Sequence, residues 1–250
     1  MRTDRQRPAG PGGRCRDRLL DLLWPRHCLA CGGPVGAGIH AFLCPACRAH
    51  IDFIDPPFCP LCGNPLQGMV GAARPCPKCH DLKPVFTGGR ALFLHRDCGA
   101  RLVLDLKYHD ARYWLRDLRP MLRRRAEWAD WFAQAVLVPV PLHPRKQRAR
   151  GYNQSEELAA AIIRTFPSAR IAHLLRRVAD TPTQTRMGAV ARRTNVKNAF
   201  ALAPKAVLDP ALSFMLVDDV YTTGSTLNAC AGVLRAGGAE NIRIFTLAHG

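Results

Sequence analysis

Apolar and polar positions follow two different rhythms along this chain. From residue 135 onward, short apolar runs alternate with stretches of helical spacing. Ala135–Pro141 reads A-V-L-V-P-V-P, Phe214–Val217 reads F-M-L-V, and 242–248 reads I-R-I-F-T-L-A, each the length of a buried strand. A helix is predicted to start near Ser155 with Asn153 as its cap, and another to run from Ser225 to Arg235 and end at Gly237-Gly238. Upstream, 90–95 reads as a strand. Leu102, Val103 and Leu106, then Trp114, Leu115, Leu118 and Leu122, have helical spacing, with Pro120 expected to bend or shorten the second helix. A basic loop is expected over 142–154, and basic turns with a further helix over 174–197. Short strands alternating with helices predict an α/β domain with a largely parallel sheet. Ligands bind such sheets at the carboxyl ends of the strands, which singles out the loops after Val140 and Val217.

The first third of the chain lacks that rhythm. L-L-D-L-L-W at 19–24 predicts a short amphipathic helix stopped by Pro25. Beyond it, eight of the eleven cysteines fall into four C-x-x-C pairs: Cys28/Cys31, Cys44/Cys47, Cys59/Cys62 and Cys76/Cys79, separated by 12, 11 and 13 residues. Zinc takes four thiolates in a tetrahedron, and a C-x-x-C turn supplies two of them. Gly32 and Gly63 after two of the pairs, and Pro45, Pro60 and Pro77 inside three, suit such turns. Redox pairs would each need a thioredoxin-like βαβ setting, which is missing. Two closed, structural zinc sites are expected, with sequential pairing of the cysteines preferred over a crossed arrangement. Cys15, Cys98 and Cys230 are left over and read as an arm thiol and small buried residues.

Charge adds a class of partner. Lys and Arg number 36 against 19 acids, a formal net charge of +17. Such an excess favours polyanions: nucleic acid, anionic lipid or phosphorylated small molecules. Arginines crowd one face at Arg112, Arg116, Arg119, Arg123, Arg124 and Arg125, read either as solvated charge or as a phosphate-facing surface. The first 18 residues, rich in Arg, Pro and Gly, read as a disordered basic arm, with no apolar core of a secretory signal. No apolar run reaches the length of a membrane span, and the expected location is cytoplasmic.

The sharpest chemistry lies in F-M-L-V-D-D-V-Y-T-T-G-S-T, Phe214 to Thr226. An apolar strand meets two adjacent acids, Asp218 and Asp219, and then a hydroxyl-rich glycine turn opens a helix. The N–H groups of a helix start suit a phosphate, and Gly224 permits close backbone approach. There is neither a Walker loop nor a dinucleotide fingerprint, so a single phosphate group is expected. Two carboxylates beside a phosphate are tolerable if a ribose lies between, its hydroxyls donating to the acids.

This motif resembles the phosphoribosyl pyrophosphate (PRPP) motif of type I phosphoribosyltransferases. The wider chain, about 19–250, is similar to the ComF (competence protein F) family. The four C-x-x-C pairs carry that resemblance, with L-K-Y-H at 106–109, V-P-V-P-L-H at 138–143, R-G-Y-N-Q at 150–154, D-T-P-T-Q at 180–184 and R-R-T-N-V at 192–196. The resemblance implies a type I phosphoribosyltransferase-like sheet flanked by helices over 87–250, after a double zinc-ribbon domain over 19–86. It also implies a role around DNA uptake or single-stranded DNA handling. In that mapping Val217, Asp218, Asp219, Thr222, Thr223, Gly224, Ser225 and Thr226 hold ribose and 5′-phosphate, with Asp218 and Asp219 as the catalytic pair. Pro141, Leu142, His143, Arg145 and Lys146 form the pyrophosphate loop. Arg148, Arg150, Gln184, Arg192 and Arg193 serve as lid or nucleic-acid contacts. Magnesium accompanies PRPP, zinc fills the two cysteine sites, and single-stranded DNA and competence or DNA-translocation proteins are the implied partners. The expected activity is pentosyl transfer to an unnamed acceptor. The alternatives are a non-enzymatic single-stranded nucleic-acid binder and a nucleotide-sensing regulator reusing the fold.

Overall fold

The computed structural model describes residues 26–36, 38–66, 74–179 and 198–250. The expected helix at 19–24, the basic arm and the expected contacts Gln184, Arg192 and Arg193 lie outside these residues. Two short helices, α1 (Pro45–Ala49) and α2 (Pro77–Leu82), belong to the cysteine-rich part. Then come β1 (Gly88–Leu94) and α3 (Asp97–Tyr108). A 3-10 turn, Arg112–Asp117, leads into α4 (Leu118–Leu122), followed by α5 (Glu127–Phe132). After β2 (Val136–Pro139) come α6 (Pro144–Arg150), α7 (Gln154–Thr165) and β3 (Arg170–Ile171). Next are β4 (Leu175–Arg177) and β5 (Phe200–Leu202), then β6 (Ser213–Tyr221), α8 (Ser225–Ala236) and β7 (Asn241–His249).

Among the described residues, five strands form a parallel sheet in the order β1-β7-β6-β2-β3, while β4 and β5 make a separate antiparallel pair. One face of the sheet packs against Leu102, Leu106, Leu158 and Ile162 of α3 and α7. The other packs against Leu227, Ala231 and Leu234 of α8. The expected parallel sheet flanked by helices, preceded by a cysteine-rich part, is therefore present.

Three local expectations change. The helix expected through Trp114 to Leu122 is a 3-10 turn followed by a five-residue helix. Pro120 lacks the N–H that an α-helix would use, which favours tighter i→i+3 bonding ahead of it. The basic loop of 142–154 contains α6, with Pro144 at its first position and His143 as its cap. The start of the basic segment at 174–197 is strand β4, paired with β5.

The cysteine-rich part closes the exposed edge of the sheet. Phe53 bridges Phe93 in antiparallel fashion, Leu94 N donates to Asp52 O (2.9 Å), and Gly89 N donates to Pro60 O (2.9 Å). The outer side of β1 is thus paired rather than left as a template for another strand. Gly63, at φ +78°, permits this docking: a Cβ there would lie 2.7 Å from Ala91 N. The other cysteine cluster is tied down by the buried Asp117. Its Oδ1 accepts from Ala41 N (2.6 Å) and its Oδ2 from Phe42 N (2.9 Å).

The arginine-crowded face turns out to be largely a seam. Arg124 lies over Phe53 and, with Arg125, reaches Asp55. Arg116 lies over Phe42, and Arg112 bridges Asp110 and Glu157 while covering Tyr152. These side chains join the cysteine-rich part and α7 to the segment from the 3-10 turn to the end of α4 and just beyond it.

Candidate functional site

The sequence suggested a strand ending at the acids. The structure instead carries β6 through them to Tyr221. The register explains how they become available. β2 pairs with β6 only as far as Pro139 opposite Val217, whereas β7 stays paired through Asp218 opposite Thr246 and Tyr221 opposite His249. Among the described residues, β6 has a strand neighbour on one side only from Asp218 onward. The acids stand where the sheet narrows, at the carboxyl ends of the strands.

The two carboxylates have different partners. Asp218 Oδ1 accepts from Ser155 Oγ (3.0 Å), at the start of α7, and from Asp219 N (2.9 Å). Burial and the neighbouring Asp219 charge push the Asp218 carboxyl up to about 7, against the opposing effect of Lys107. Asp219 Oδ1 lies 3.0 Å from Lys107 Nζ, near the end of α3. Its Oδ2 is buried and has no hydrogen-bond partner among the described residues. An acceptor held dry and unsatisfied is costly unless a ligand donates to it.

Beyond the acids, Thr222 to Gly224 turn the chain into α8. Gly224 caps the helix at φ +74°, and Thr223 Oγ1 lies 2.9 Å from Ser225 Oγ. A Cβ at Gly224 would overlap the Tyr221 phenol and lie 2.8 Å from Leu82 Cδ2. Only glycine meets both the backbone angle and the close approach. Leu82 closes α2, which holds Cys79, and Cys79 Sγ lies 3.9 Å from Tyr221 Oη. His249 stacks on Tyr221 with ring centroids 4.8 Å apart. Val85 N donates to Asn228 Oδ1 (2.7 Å), joining the segment after α2 to the first turns of α8. The second cysteine cluster therefore forms the floor under the glycine turn.

The loop after β2 leaves the sheet beside Val217, just before the acids. Val140 N donates to Val217 O (3.0 Å), and Val140 O accepts from Asn153 Nδ2 (3.0 Å). Pro141 and Leu142 lead to His143, whose Nδ1 accepts from Arg145 N (3.3 Å). Arg145, Lys146 and Arg148 follow on α6, and Arg150 at its end donates to Gln154 and faces the Tyr108 ring at 5.6 Å. Asn153 caps α7 as expected, accepting from Ser155 N (3.0 Å), so the cap also positions the serine that touches Asp218.

Both cysteine quartets assemble in the sequential pairing. Cys28, Cys31, Cys44 and Cys47 have all four Sγ atoms within 4.8 Å of one another, as do Cys59, Cys62, Cys76 and Cys79. Cys31 and Cys44 Sγ are 3.8 Å apart, and Cys62 and Cys76 Sγ 3.7 Å. Four thiolates each about 2.3 Å from a tetrahedral zinc stand about 3.8 Å from one another. Backbone donors point at the sulfurs from Gly33, Cys47 and Cys76, as a thiolate site requires. The second quartet is wholly buried, which leaves no open ligand position for catalysis.

Sequence reasoning gave no role to Lys107, Ser155 or Tyr221. Lys107 lies in the L-K-Y-H segment, so that motif was the available signal. Tyr221 stands inside the Phe214–Thr226 motif, and Ser155 carried no signal beyond its place at a helix start.

A double zinc ribbon domain model matches residues 19–80. Competence protein F of Haemophilus influenzae is 32% identical over 228 residues, covering 89% of this chain and 96% of that protein. DNA utilization protein YhgH of Salmonella typhimurium is 29% identical, covering 90% and 98%. Competence protein ComFC of Bacillus subtilis is 25% identical, covering 82% and 83%. Among solved structures, a hypoxanthine phosphoribosyltransferase of Staphylococcus aureus matches at a TM-score of 0.34 and 13% identity, over 54% of this chain and 64% of that one. That overlap is too slight to bear on activity. The extent and identity of the sequence match, with both cysteine quartets assembled, place the chain in the competence protein F family.

Proposed function

We propose that this protein binds PRPP with magnesium at the carboxyl end of β6 and transfers its phosphoribosyl group, in the service of DNA uptake or single-stranded DNA handling. The observation that carries the reading is the unsatisfied, buried Oδ2 of Asp219 beside Asp218 and directly before a glycine turn at a helix start. Ribose hydroxyls would supply the missing donors. The N–H groups and hydroxyls of Thr222 to Thr226 would hold the 5′-phosphate.

In this mechanism the anionic pair lies under the ring carbon that develops positive charge as the bond to pyrophosphate breaks. The electrons of that bond leave with the pyrophosphate oxygen, and the acceptor's lone pair forms the new bond to the anomeric carbon while its proton passes to solvent. Arg145, Lys146, Arg148 and Arg150 supply cationic charge for the leaving group. Magnesium, when bound with PRPP, adds Lewis-acid neutralisation of the pyrophosphate. Ser155 and Lys107 hold the two carboxylates in place.

Magnesium-dependent pyrophosphate release from PRPP, screened against nucleobases, single-stranded DNA and cell metabolites, tests the activity. Asp218→Asn with Asp219→Asn should abolish it. Undiminished release by that double variant would sink the site assignment. Binding of PRPP without release would select the nucleotide-sensing alternative.

A non-enzymatic nucleic-acid reading draws on the +17 charge and on relatives named for DNA utilization. It predicts that log affinity for single-stranded DNA falls linearly with log salt. Absence of binding at low salt removes it.

A further inference from the structure

A second concave site lies at the opposite end of the sheet. Near the amino ends of β1 and β7, a cavity of about 220 Å³ has Phe58, Arg90, Arg125, Glu127, Trp128 and Trp131 among its walls. About 10 Å of strand separates Arg243, at this end of β7, from Thr246, the partner of Asp218. The cavity opens on the junction between the cysteine-rich part and the sheet, away from the glycine turn.

Its electrostatics are unbalanced. The Arg90 guanidinium sits 4.4 Å from the Phe58 centroid and 4.4 Å from that of Trp131, and Arg243 lies 4.7 Å from the Trp131 centroid. Two half-buried cations therefore share one indole. Arg90 donates to its neighbour's carbonyl, Gly89 O (3.0 Å), and Arg243 to Ser213 Oγ (2.9 Å). Neither forms an ion pair among the described residues, and Arg243 Nε is buried with no partner. Arg125 also lines the cavity, but Asp55 and Glu127 already pair with it. Burial, with Arg243 and Arg125 nearby, holds the Arg90 guanidinium below its usual range against the opposing effect of Glu127.

The carboxylate on the cavity wall, Glu127, is already paired with Arg125, and half-buried like charges without an ion pair of their own destabilise a fold unless something anionic visits. Ring contacts with Phe58 and Trp131 offset part of that cost. They do not supply negative charge. The walls add a preference of their own: Phe58, Trp128 and Trp131 line the cavity with aromatic surface, part of which Arg90 already covers. A ligand that meets both demands has a flat ring and an adjacent anion.

We propose that this cavity is a nucleotide-binding site, taking a base against Phe58, Trp128 and Trp131 and its phosphate at Arg90. Two sources share that chemistry, a free mononucleotide and one unit of a single strand. The site is separate from the carboxylate pair and does not depend on the PRPP reading.

The test uses the full chain with zinc bound. Adenosine 5′-monophosphate and a ten-nucleotide oligothymidylate are titrated separately, with tryptophan fluorescence and calorimetry as readouts. Saturable binding with tryptophan quenching is expected for at least one probe. Binding of the mononucleotide assigns a free nucleotide, and binding of the oligonucleotide alone assigns a strand. Arg90→Gln should weaken it about ten- to a hundredfold, the factor a charge-assisted hydrogen bond carries. Asp218→Asn with Asp219→Asn should leave it intact, separating this site from the PRPP site. Arg243→Gln provides a second line if Arg90→Gln folds poorly. It removes one uncompensated charge, so without ligand its melting temperature should equal or exceed that of the parent while binding weakens. The proposal is overturned if neither probe binds at millimolar concentration, if neither arginine variant weakens binding, or if Arg243→Gln lowers the melting temperature.

Discussion

Lys107 Nζ lies 3.0 Å from Asp219 Oδ1, and it is the one cation paired with that buried carboxylate among the described residues. Removing one partner of a buried pair leaves the other charge without compensation. Lys107→Met should destabilise the fold by about 3 kcal/mol. Adding Asp219→Asn should recover much of that loss, because no charge then remains stranded. Denaturant midpoints of the two single variants and the double variant measure the coupling. Strictly additive losses would show that the pair contributes nothing as a pair.

The Asp218 carboxyl, pushed up to about 7 by burial and by Asp219, gives a pH dependence with a definite sign. Its raised value favours the folded state below the ordinary carboxylate range, and that contribution is lost as pH rises through about 7. Asp218→Asn should therefore gain stability relative to the parent between pH 4 and pH 7 and hold a constant margin above. PRPP affinity should move the other way, strengthening from pH 6 to pH 8 as the carboxylate forms. Calorimetric titrations across that range check it, and the Asn variant should be flat.

Gly224 and Gly232 stand in the same turn-and-helix unit with opposite surroundings. A Cβ at Gly224 meets Tyr221 and Leu82, whereas at Gly232 it meets no atom within 4 Å. Gly224→Ala should cost about 1–3 kcal/mol by overpacking and abolish PRPP binding. Gly232→Ala should be stabilising by up to about 1 kcal/mol and leave binding unchanged. Thermal melts with and without PRPP distinguish them.

The quartets predict two zinc ions per chain with unequal influence on the site. Cys62→Ser should lower the metal content to one and weaken PRPP binding strongly, because Cys79 and Leu82 lie under Tyr221 and Gly224. Cys31→Ser, on the exposed corner of the first quartet, should also lower the content to one but leave PRPP binding nearly intact. Elemental analysis alongside PRPP titration checks both.

Local pattern carried much of this molecule. The C-x-x-C spacing anticipated both quartets, and the apolar runs anticipated the central strands of the parallel sheet. The acids show where it failed. Asp is unfavourable in strands, so Phe214–Val217 looked like a complete element. Pairing with β7 overrides that preference and carries β6 on to Tyr221. The arginines of 112–125 show the same limit from the other side. Their spacing suggested an open charged face, but Asp55, Phe42 and Phe53, contributed by the cysteine-rich part, occupy several of them. Lys107–Asp219 and Cys79–Tyr221 join distant parts of the chain, and no local window holds both members of either pair.

If the glycine turn holds a ligand as proposed, the contact between Cys79 and Tyr221 makes a structural metal a silent participant in its recognition. If the buried quartet loses its ion, through chelation or thiol oxidation, the first thing to slacken is the platform under Gly224, while the sheet keeps its own hydrogen bonds. The protein would then remain folded yet deaf to a phosphorylated ligand. Measured affinity for that ligand would serve as a gauge of how well the cell keeps its thiols metallated.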